Sequence, residues 1–473
     1  MAKRLELVPD EAYYWNWSRH LDWSYFDHPP MVAWLIRAST TLGEQSEIWV
    51  RMPAIFLSFG LSGIVYFWAN KIYPHKRRIR FKIVVLLNVI LIFAVGGVVV
   101  TPDTPLVFFF TLTLFWLYKA NFEKKSIFWI FAGLTFGLAL LSKYTALLLF
   151  PCLALFLFFS NANRFWLQRK EPYLFAATAF LIFSPVLFWN ASNGWVSLRF
   201  QLGHGFFGKP VNPIASFIEY LGGQFLIVTP IVFAGLVASI GFCYYLWVRE
   251  KDDRLLFLFC FSAPIFLFFG IVSFQSKVEG NWPVIAYVPA ILAMVGLEAK
   301  YRGGGQTGSL FRFLKKWALT SAIAIFLAVH LQTIWRIAPL PDPSLKRAYG
   351  WKLLGDRAGG FLHNYGGGTT AISFVFAKRH GIAGETAFYI PGQPDTYVIH
   401  GGRRYSFLGN LENLAGKNGL YIVQADRGEM EEIIRYFDRV EELPPLPIVA
   451  DGRVFRIFRM FRCINYKGGL IET

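Results

Sequence analysis

Long apolar stretches separated by short polar loops dominate the chain between residues 51 and 335. An α-helix rises about 1.5 Å per residue, so about 20 mainly apolar residues can cross roughly 30 Å of hydrocarbon. Ten such stretches are predicted to span a membrane; they lie near residues 51–73, 83–100, 105–119, 127–142, 144–160, 173–189, 223–247, 255–274, 283–299 and 317–335. The pattern therefore predicts an α-helical, polytopic membrane protein.

The pattern changes on both sides of this region. Before it, DEAYYWNWSRHL and PPMVAWLIRAST predict two short helices separated by an FDHPP turn, and their tryptophans and tyrosines are typical of a membrane interface. After it, the runs TTAISF, TYVIHG, GLYIVQ and VFRIFRMF predict strands, and GEMEEIIRYFDRVEEL predicts a helix between the last two.

These changes predict three segments. Residues 1–50 form a first outer loop, residues 51–336 form the transmembrane bundle, and residues 337–473 form a small α/β domain. The α/β domain either shields the site below it or takes part in acceptor recognition.

Composition and charge support a membrane protein and predict its orientation. The chain is 55% hydrophobic and 16% charged, with a net charge of +17. One alternating set of loops holds 19 Lys and Arg residues and the other set holds 4. Because basic residues collect in cytoplasmic loops, the first set is predicted to face the cytoplasm. The second set, residues 1–50 and the chain after about residue 336 then face outward, and no nucleic-acid partner is predicted.

The first residues, MAKRLEL, have neither the pattern of a signal peptide nor that of a spanning helix. We therefore expect either an additional helix upstream of this sequence or a first span that inserts with its N-terminus outside.

Ionisable side chains cluster on the predicted outer side, where they are costly unless functional. The candidates are Asp10, Glu11, Arg51, Asp103, Lys143, Tyr144, Lys277 and Glu279. Simpler roles exist for several of them: Arg51 and Lys143 could extend toward the interface, Asp103 could cap a helix, and Lys277 could pair with Glu279. Together, however, carboxylates can supply a base and cations can bind phosphate, which favours group transfer from a lipid-borne phosphate.

Metal binding is not predicted. Asp10, Glu11, His28 and Asp103 could supply ligands, but no zinc-type spacing accompanies them. No cofactor is expected to be required, and optional binding of Mg or Mn stays open.

Several motifs carry a family resemblance: PDEAYYWNWSRHLDWSYFDHPPMVAWLIR, VRMPAIF, TPDTPLVFF, LLSKYTALLLFP, PVLFWNASNGWVSLRFQLGHG, KVEGNWPVIAYVP and AFYIPGQPDTYV. Over about residues 8–425 the chain resembles the bacterial glycosyltransferase family 39/83 group. These GT-C fold enzymes are related to protein O-mannosyltransferases, the lipid A aminoarabinose transferase and rhizobial lipopolysaccharide galacturonosyltransferases.

The resemblance implies a multi-pass enzyme of the bacterial inner membrane that takes a sugar from a polyprenyl-phosphate donor on the periplasmic face. Asp10 matches the expected catalytic base, with Glu11 beside it, and Asp103, Lys143 and Tyr144 match segments expected near the donor. Arg51, Lys277 and Glu279 complete the expected donor and phosphate site. Candidate substrate contacts are Tyr13, His28, Trp195, Arg199 and Trp282.

The acceptor and one alternative function stay open. Lipopolysaccharide or lipid A, another glycan and a protein are all possible acceptors. The alternative to an enzyme is a transporter, a flippase or a non-catalytic assembly partner for lipid-linked glycans.

Overall fold

The structure, a computed structural model, describes residues 5–206, 211–300, 306–335, 347–367, 371–399, 402–409, 411–425, 430–450 and 452–470. The chain folds into two compact units. Unit 1 comprises Met1–Phe26, Ala33–Pro53 and Ile334–Thr473, and unit 2 comprises Asp27–Val32 and Ala54–Thr333.

Most of the described chain is helical. The helices up to residue 300 are α1 (Pro9–Arg19), α2 (Met31–Leu42), α3 (Glu47–Ile72), α4 (Arg77–Val89), α5 (Leu91–Gly96), α6 (Asp103–Phe122), α7 (Ile127–Leu140), α8 (Leu149–Phe159), α9 (Glu171–Ser192), α10 (Val196–Phe206), α11 (Pro213–Val228), α12 (Pro230–Glu250), α13 (Asp253–Cys260), α14 (Ala263–Val272) and α15 (Tyr287–Lys300). The later ones are α16 (Gln306–Trp335), α17 (Trp351–Asn364), α18 (His380–Tyr389) and α19 (Glu431–Ile434). Short 3-10 helices lie at Tyr144–Leu148, Arg164–Gln168, Trp282–Ala286, Gly402–Leu408 and Leu411–Leu414.

Some of these helices are long enough to span a membrane. Within the described residues, five segments are long and apolar enough to cross a bilayer: Glu47–Ile72, Asp103–Phe122, Glu171–Ser192, Pro230–Glu250 and Asp253–Val272. Shorter apolar helices accompany them. The predicted multi-pass helical architecture is confirmed, while the number of ten spans stays a prediction.

The structure corrects the boundaries of two predicted spans. The stretch 223–247 is not one helix, because α11 ends at Val228 and α12 begins at Pro230. Proline lacks a backbone N–H and its ring clashes inside a helix, which favours a break there. The stretch 83–100 is likewise divided at Ile90. The stretch 255–274 comprises α13 and α14, which together form the segment Asp253–Val272 that is long and apolar enough to cross a bilayer.

The C-terminal part of unit 1 holds the predicted sheet. Its strands are β1 (Ile372–Ala377), β2 (Thr396–Val398), β3 (Asn418–Gln424), β4 (Phe437–Ala450) and β5 (Arg453–Tyr466). The order of the strands in the sheet is β2-β1-β3-β5-β4. Strand β1 pairs parallel with β2 and β3, and strand β5 pairs antiparallel with β3 and β4. Phe376, Tyr421 and Phe461 lie in its buried core. The predicted α/β composition of this segment is confirmed.

The predicted helix at GEMEEIIRYFDRVEEL is wrong over most of its length. Of its described residues, 430–443, only Glu431–Ile434 is helical, and the chain from Phe437 onward forms β4. The reason is pairing with β5: Arg459 binds Glu442 and Arg462 binds Glu441 across the two strands. Opposite charges on neighbouring strands stabilise a sheet, and a local pattern cannot show that these partners exist.

Candidate functional site

Helix α1 of unit 1 carries the two adjacent acids of the N-terminal motif. Pro9 occupies the first turn, where the missing N–H of proline is tolerated. The backbone N–H of Val8 donates a hydrogen bond to the Glu11 carboxylate at 3.1 Å, which satisfies one of the donors at the helix start.

The two acids have different surroundings. The Asp10 side chain is 43% exposed, and its carboxylate accepts a hydrogen bond from Arg347 at 3.1 Å. Glu11 is fully buried and forms an ion pair with Arg51, whose Nη2 lies 2.6 Å from its Oε2. Arg51 also donates to the carbonyl oxygens of Leu5 and Glu6. Of the pair, Asp10 is therefore the acid that solvent and substrates can reach.

Arg51 is surrounded by protein atoms. Its side chain is 1% exposed, so it neither extends to an interface nor presents its guanidinium to solvent. Its predicted contact with the donor phosphate stays a prediction.

The middle of α1 packs against the C-terminal segment of unit 1. Tyr13 is buried, donates a hydrogen bond to the carbonyl of Arg404 at 3.2 Å, and stacks on Tyr405 with ring centroids 5.4 Å apart. His380 lies beside these rings, and Arg404 donates to its Nδ1 at 3.2 Å. Burial, together with the nearby Arg404 and Arg379, lowers the pKa of His380 to about 4. A neutral imidazole, which can accept this hydrogen bond, therefore predominates at neutral pH.

The end of α1 is held by an ion pair. Asp395 contacts Arg19 at 3.0 Å and His20 at 3.1 Å. The hydrogen bond from His20 holds the pKa of the Asp395 carboxyl below its ordinary value.

Unit 2 contains a second polar cluster, which is built around Asp103 at the start of α6. Its Oδ1 accepts a hydrogen bond from Lys143 Nζ at 2.7 Å, and its Oδ2 accepts one from Asn281 Nδ2 at 2.6 Å. The Lys143 and Asp103 side chains are only 9% and 15% exposed. Asp103 makes no capping hydrogen bond to α6, so helix capping does not account for it.

A mainly apolar cavity of about 300 Å³ lies beside this cluster. Its wall carries a few polar side chains, among them Asp103, Thr104 and Asn281, and aliphatic and aromatic side chains such as Leu57 and Phe93 line most of the remainder. Concave, mostly apolar sites with a few placed polar groups are typical of small-molecule and lipid binding. We define Asp103, Lys143 and Asn281 as the Asp103 cluster.

Tyr144 belongs to a separate buried network. Its hydroxyl lies 2.9 Å from Ser197 Oγ and 3.3 Å from Asn190 Nδ2. This network fixes the entry to α10, where the exposed Trp195 has a left-handed φ of 60° and Arg199 follows one turn later. Trp195 and Arg199 are therefore presented to the surroundings of unit 2.

The remaining predicted residues of unit 2 lie in loops. Lys277 and Glu279 face each other at 3.8 Å and are 66% and 56% exposed, as expected for a loop ion pair. Trp282 begins a 3-10 helix and is partly buried against Phe269. His28 is also partly buried.

Sequence reasoning missed Asn281, Arg347 and Asp395. Asn281 lies two residues after Glu279 in the KVEGNWP motif, so its position near an acid predicted on the outer side is a usable signal. Arg347 and Asp395 lie in polar C-terminal segments, where nothing in the local pattern indicates that they contact α1. In the part of the chain that the structure describes, no three His, Cys, Asp or Glu side chains come close enough to hold a metal ion.

The chain is similar to several sugar transferases. Residues 27–189 match the family model described as dolichyl-phosphate-mannose-protein mannosyltransferase. The lipid A galacturonosyltransferase RgtD of Rhizobium johnstonii is 27% identical over 291 residues, which are 61% of this chain and 60% of that protein. An undecaprenyl phosphate-α-4-amino-4-deoxy-L-arabinose arabinosyl transferase of Erwinia tasmaniensis is 25% identical over 340 residues, 68% of this chain and 58% of that protein. The chain thus spans about 60% of the length of these curated relatives.

Solved structures show the fold. ArnT from Cupriavidus metallidurans, in the apo state and bound to undecaprenyl phosphate, matches with a TM-score of 0.62 and 14% identity. The apo match covers 97% of this chain and 94% of that one. The chain therefore has the fold of ArnT, and its resemblance to the bacterial GT-C glycosyltransferases is confirmed by the fold over nearly its whole length and by the family model over residues 27–189.

Proposed function

We propose that the protein is an integral membrane glycosyltransferase that moves a sugar from a polyprenyl-phosphate donor to an acceptor hydroxyl. The names of the relatives support this reaction, since two of them denote sugar transferases and one names undecaprenyl phosphate. The name of the first of them, a lipid A galacturonosyltransferase, favours lipid A as the acceptor. The excess of basic residues in one set of loops supports a periplasmic site in the bacterial inner membrane.

The observation that carries the proposal is the Asp103 cluster at the wall of an apolar cavity. A polyprenyl-phosphate sugar is an amphiphile, with an isoprenoid chain that requires apolar surroundings and a phosphate that requires cations or hydrogen-bond donors. Asp103 and Asn281 line this cavity of unit 2 and Lys143 is bound to Asp103, so apolar surface lies next to a cation. Lys143 would bind the phosphate, while Asp103, which also accepts a hydrogen bond from Asn281, holds its ammonium group in place.

The reaction needs a base as well as a phosphate site. The acceptor oxygen would form a bond to the anomeric carbon and transfer its proton to the carboxylate of Asp10. The bond between that carbon and the phosphate oxygen would break, and its electron pair would leave with the phosphate. Lys143 would stabilise the charge that develops there. Because Glu11 is buried and bound to Arg51, we assign the base to Asp10 and an orienting role to Glu11.

Replacement of Asp10 tests the catalytic assignment. A positioned base contributes about 100- to 10,000-fold in rate, so Asp10→Asn is expected to reduce sugar transfer by at least about 100-fold. The assay uses membranes with lipid A and radiolabelled undecaprenyl-phosphate-linked galacturonic acid or 4-amino-4-deoxy-L-arabinose. Asp356→Asn, an exposed acid of α17 in the same unit, is the matched control and is expected to transfer normally. Equal transfer by Asp10→Asn and wild type would contradict the assignment.

Replacement of Lys143 tests the donor site separately. A hydrogen bond to a charged group contributes about 1.5–3 kcal/mol, so Lys143→Gln is expected to weaken binding of undecaprenyl phosphate by roughly 10- to 150-fold. Lys125→Gln, an exposed lysine of the same unit, serves as the control. Unchanged affinity in Lys143→Gln would remove Lys143 from the phosphate site.

Mass spectrometry of lipid A tests the acceptor. A strain that lacks the gene is expected to lose one sugar from its lipid A, and the mass difference identifies that sugar. An unchanged lipid A profile would move the acceptor to another glycan or to a protein.

A further inference from the structure

Helices α1 and α18 of unit 1 pack with their backbones in direct contact. The contact is made by Gly384: a Cβ atom added there would lie 2.9 Å from the backbone N of Tyr13 and 3.0 Å from the carbonyl carbon of Ala12. Real Cβ atoms essentially never approach other atoms more closely than 3.0 Å. Only glycine at position 384 therefore allows the observed distance between the helices.

The same face of α18 continues this contact along α1. A Cβ atom added to Gly381, one turn earlier, would lie 3.0 Å from the Cβ of Pro9. Phe388, one turn later, packs edge-on against Trp15, with ring centroids 4.8 Å apart. Residues three and four apart share one face of a helix, so these three positions form a continuous stripe along α1. We call Gly381, Gly384 and Phe388 the α18 stripe.

Polar contacts fix α1 at both ends. Before the helix, the backbone N–H of Leu7 donates to the hydroxyl of Tyr389 at 2.8 Å. After it, Arg19 and His20 bind Asp395. Contacts at both ends and along the middle restrict sliding as well as rotation of α1 relative to α18 and the segment that follows it.

We propose that α18 is the support that positions Asp10, and that Gly381 and Gly384 are positioning residues for the reaction. This inference rests on the proposed function of Asp10 as base. Asp10 lies between Pro9 and Ala12, the residues that the two glycines approach, so a shift of α1 displaces its carboxylate. A misplacement of about 1 Å at a reacting group can reduce a rate by about 100-fold.

A graded series of glycine substitutions tests the inference. Gly384→Ala would place a methyl group against backbone atoms, and Gly381→Ala would place one against the ring of Pro9. Gly360 is an exposed helical position of α17, and the methyl group of Gly360→Ala would have no neighbour within 4 Å. We expect kcat of transfer to fall by about 10- to 100-fold in Gly384→Ala, by less in Gly381→Ala and not at all in Gly360→Ala. KM for the undecaprenyl-phosphate-linked donor is expected to stay within about threefold, because none of these substitutions lies in unit 2, which holds the Asp103 cluster.

A destabilised control separates positioning from a general loss of folding. Leu354→Ala removes a fully buried side chain of α17 and is expected to lower the melting temperature without lowering kcat of the folded fraction. If Gly384→Ala does not fold, Phe388→Leu, which loosens the contact with Trp15, takes its place and is expected to lower kcat with KM unchanged.

The outcomes distinguish this inference from the function on which it rests. Wild-type kcat in both Gly384→Ala and Phe388→Leu, with Asp10→Asn inactive, would overturn the positioning role and leave the proposed function intact. Wild-type transfer in Asp10→Asn would overturn the proposed base itself. A loss of kcat in Leu354→Ala equal to that in Gly384→Ala would show that stability, and not position, determines the rate.

Discussion

At the residue scale, Asp10 and Glu11 are neighbours in sequence with opposite environments. Burial in an ion pair fixes Glu11, and exposure leaves Asp10 accessible despite its contact with Arg347. A buried charge that loses its partner is strongly destabilising, whereas an exposed ion pair contributes little. Substitution of Glu11 is therefore expected mainly to lower stability, and substitution of Asp10 mainly to lower the rate of transfer.

This separation gives a first prediction. Glu11→Ala is expected to lower the free energy of unfolding by about 3–5 kcal/mol, because Arg51 is left buried without its carboxylate partner. Asp10→Ala is expected to lower it by less than about 1 kcal/mol. Thermal unfolding of the two purified variants measures the difference. A loss in Asp10→Ala as large as that in Glu11→Ala would contradict the assignment.

Glu385 of α18 is a third acid with an unusual environment. It is fully buried, and neither carboxylate oxygen has a hydrogen-bond partner among the described residues. Burial raises its pKa well above the ordinary 4.5, and the nearby Glu6 and Glu11 raise it further. The folded state therefore binds a proton that the unfolded state releases above pH 4.5, so this group makes the fold less stable as pH rises.

Glu385→Gln removes that pH dependence. At pH 7.5 the variant is expected to melt at a higher temperature than wild type, by about 1 °C for each kcal/mol recovered. Below about pH 4.5 both states of the wild type are protonated, and the difference is expected to vanish. Melting temperatures measured across this range test both parts. A constant difference at all pH values would show that Glu385 is not protonated by folding.

At the element scale, the breaks between helices matter as much as their lengths. Thr229, between α11 and α12, has φ 79° and ψ 143°, a conformation that is essentially restricted to glycine. Its hydroxyl accepts a hydrogen bond from the backbone N–H of Val232 at 3.4 Å, which caps α12. At Thr229, the backbone conformation therefore destabilises the fold, while the capping hydrogen bond of the side chain stabilises it.

Substitutions at Thr229 separate the two contributions. Strain of this kind amounts to about 1–3 kcal/mol, while replacing a capping residue by glycine costs only a few tenths. Thr229→Gly is expected to stabilise the protein by about 1 kcal/mol, and Thr229→Ala, which keeps the strain and loses the cap, to destabilise it by about 1 kcal/mol. Thermal unfolding in detergent provides the measurement. Destabilisation by glycine would contradict the assigned strain, and stabilisation by alanine would contradict the assigned cap.

The sequence predicts helices better than it predicts where they stop. Apolar length is a local property, so α3, α6 and α9 could be predicted from the pattern alone. The break at Thr229 depends on one residue of unusual φ, and β4 depends on arginines of β5 that lie about 20 residues away. Likewise, the pairing of Asp103 with Lys143 joins residues 40 apart, so sequence could propose each side chain but not their contact.

At the scale of the whole molecule, the distribution of basic residues gives an orientation. The loops that contain 19 Lys and Arg residues are expected to face the cytoplasm, and those that contain 4 the periplasm. Because the predicted orientation rests on Lys and Arg counts summed over many loops, an error in the boundary of one helix hardly changes it.

Cysteine labelling tests the orientation. The natural cysteines, Cys152, Cys243, Cys260 and Cys463, are all buried, so they are expected to react little with a membrane-impermeant maleimide. Asn193→Cys, in a loop predicted to be periplasmic, is expected to react in spheroplasts. Lys76→Cys, in a loop predicted to be cytoplasmic, is expected to react only after permeabilisation. The opposite pattern would invert the proposed topology and place the donor site on the cytoplasmic side.

The discontinuity of unit 1 has a consequence for biosynthesis. Its first residues end at Pro53 and its last segment begins at Ile334, so 281 positions separate them in the chain. Ribosomes add about 5–20 residues per second and 361 positions separate Arg19 from His380, which leaves α1 without α18 for roughly 18 to 72 seconds. During that interval the aromatic face of α1, which α18 later covers, needs a temporary binding partner such as lipid or a chaperone. A stall in translation before residue 380 would leave this aromatic face of α1 uncovered and accessible to chaperones and proteases.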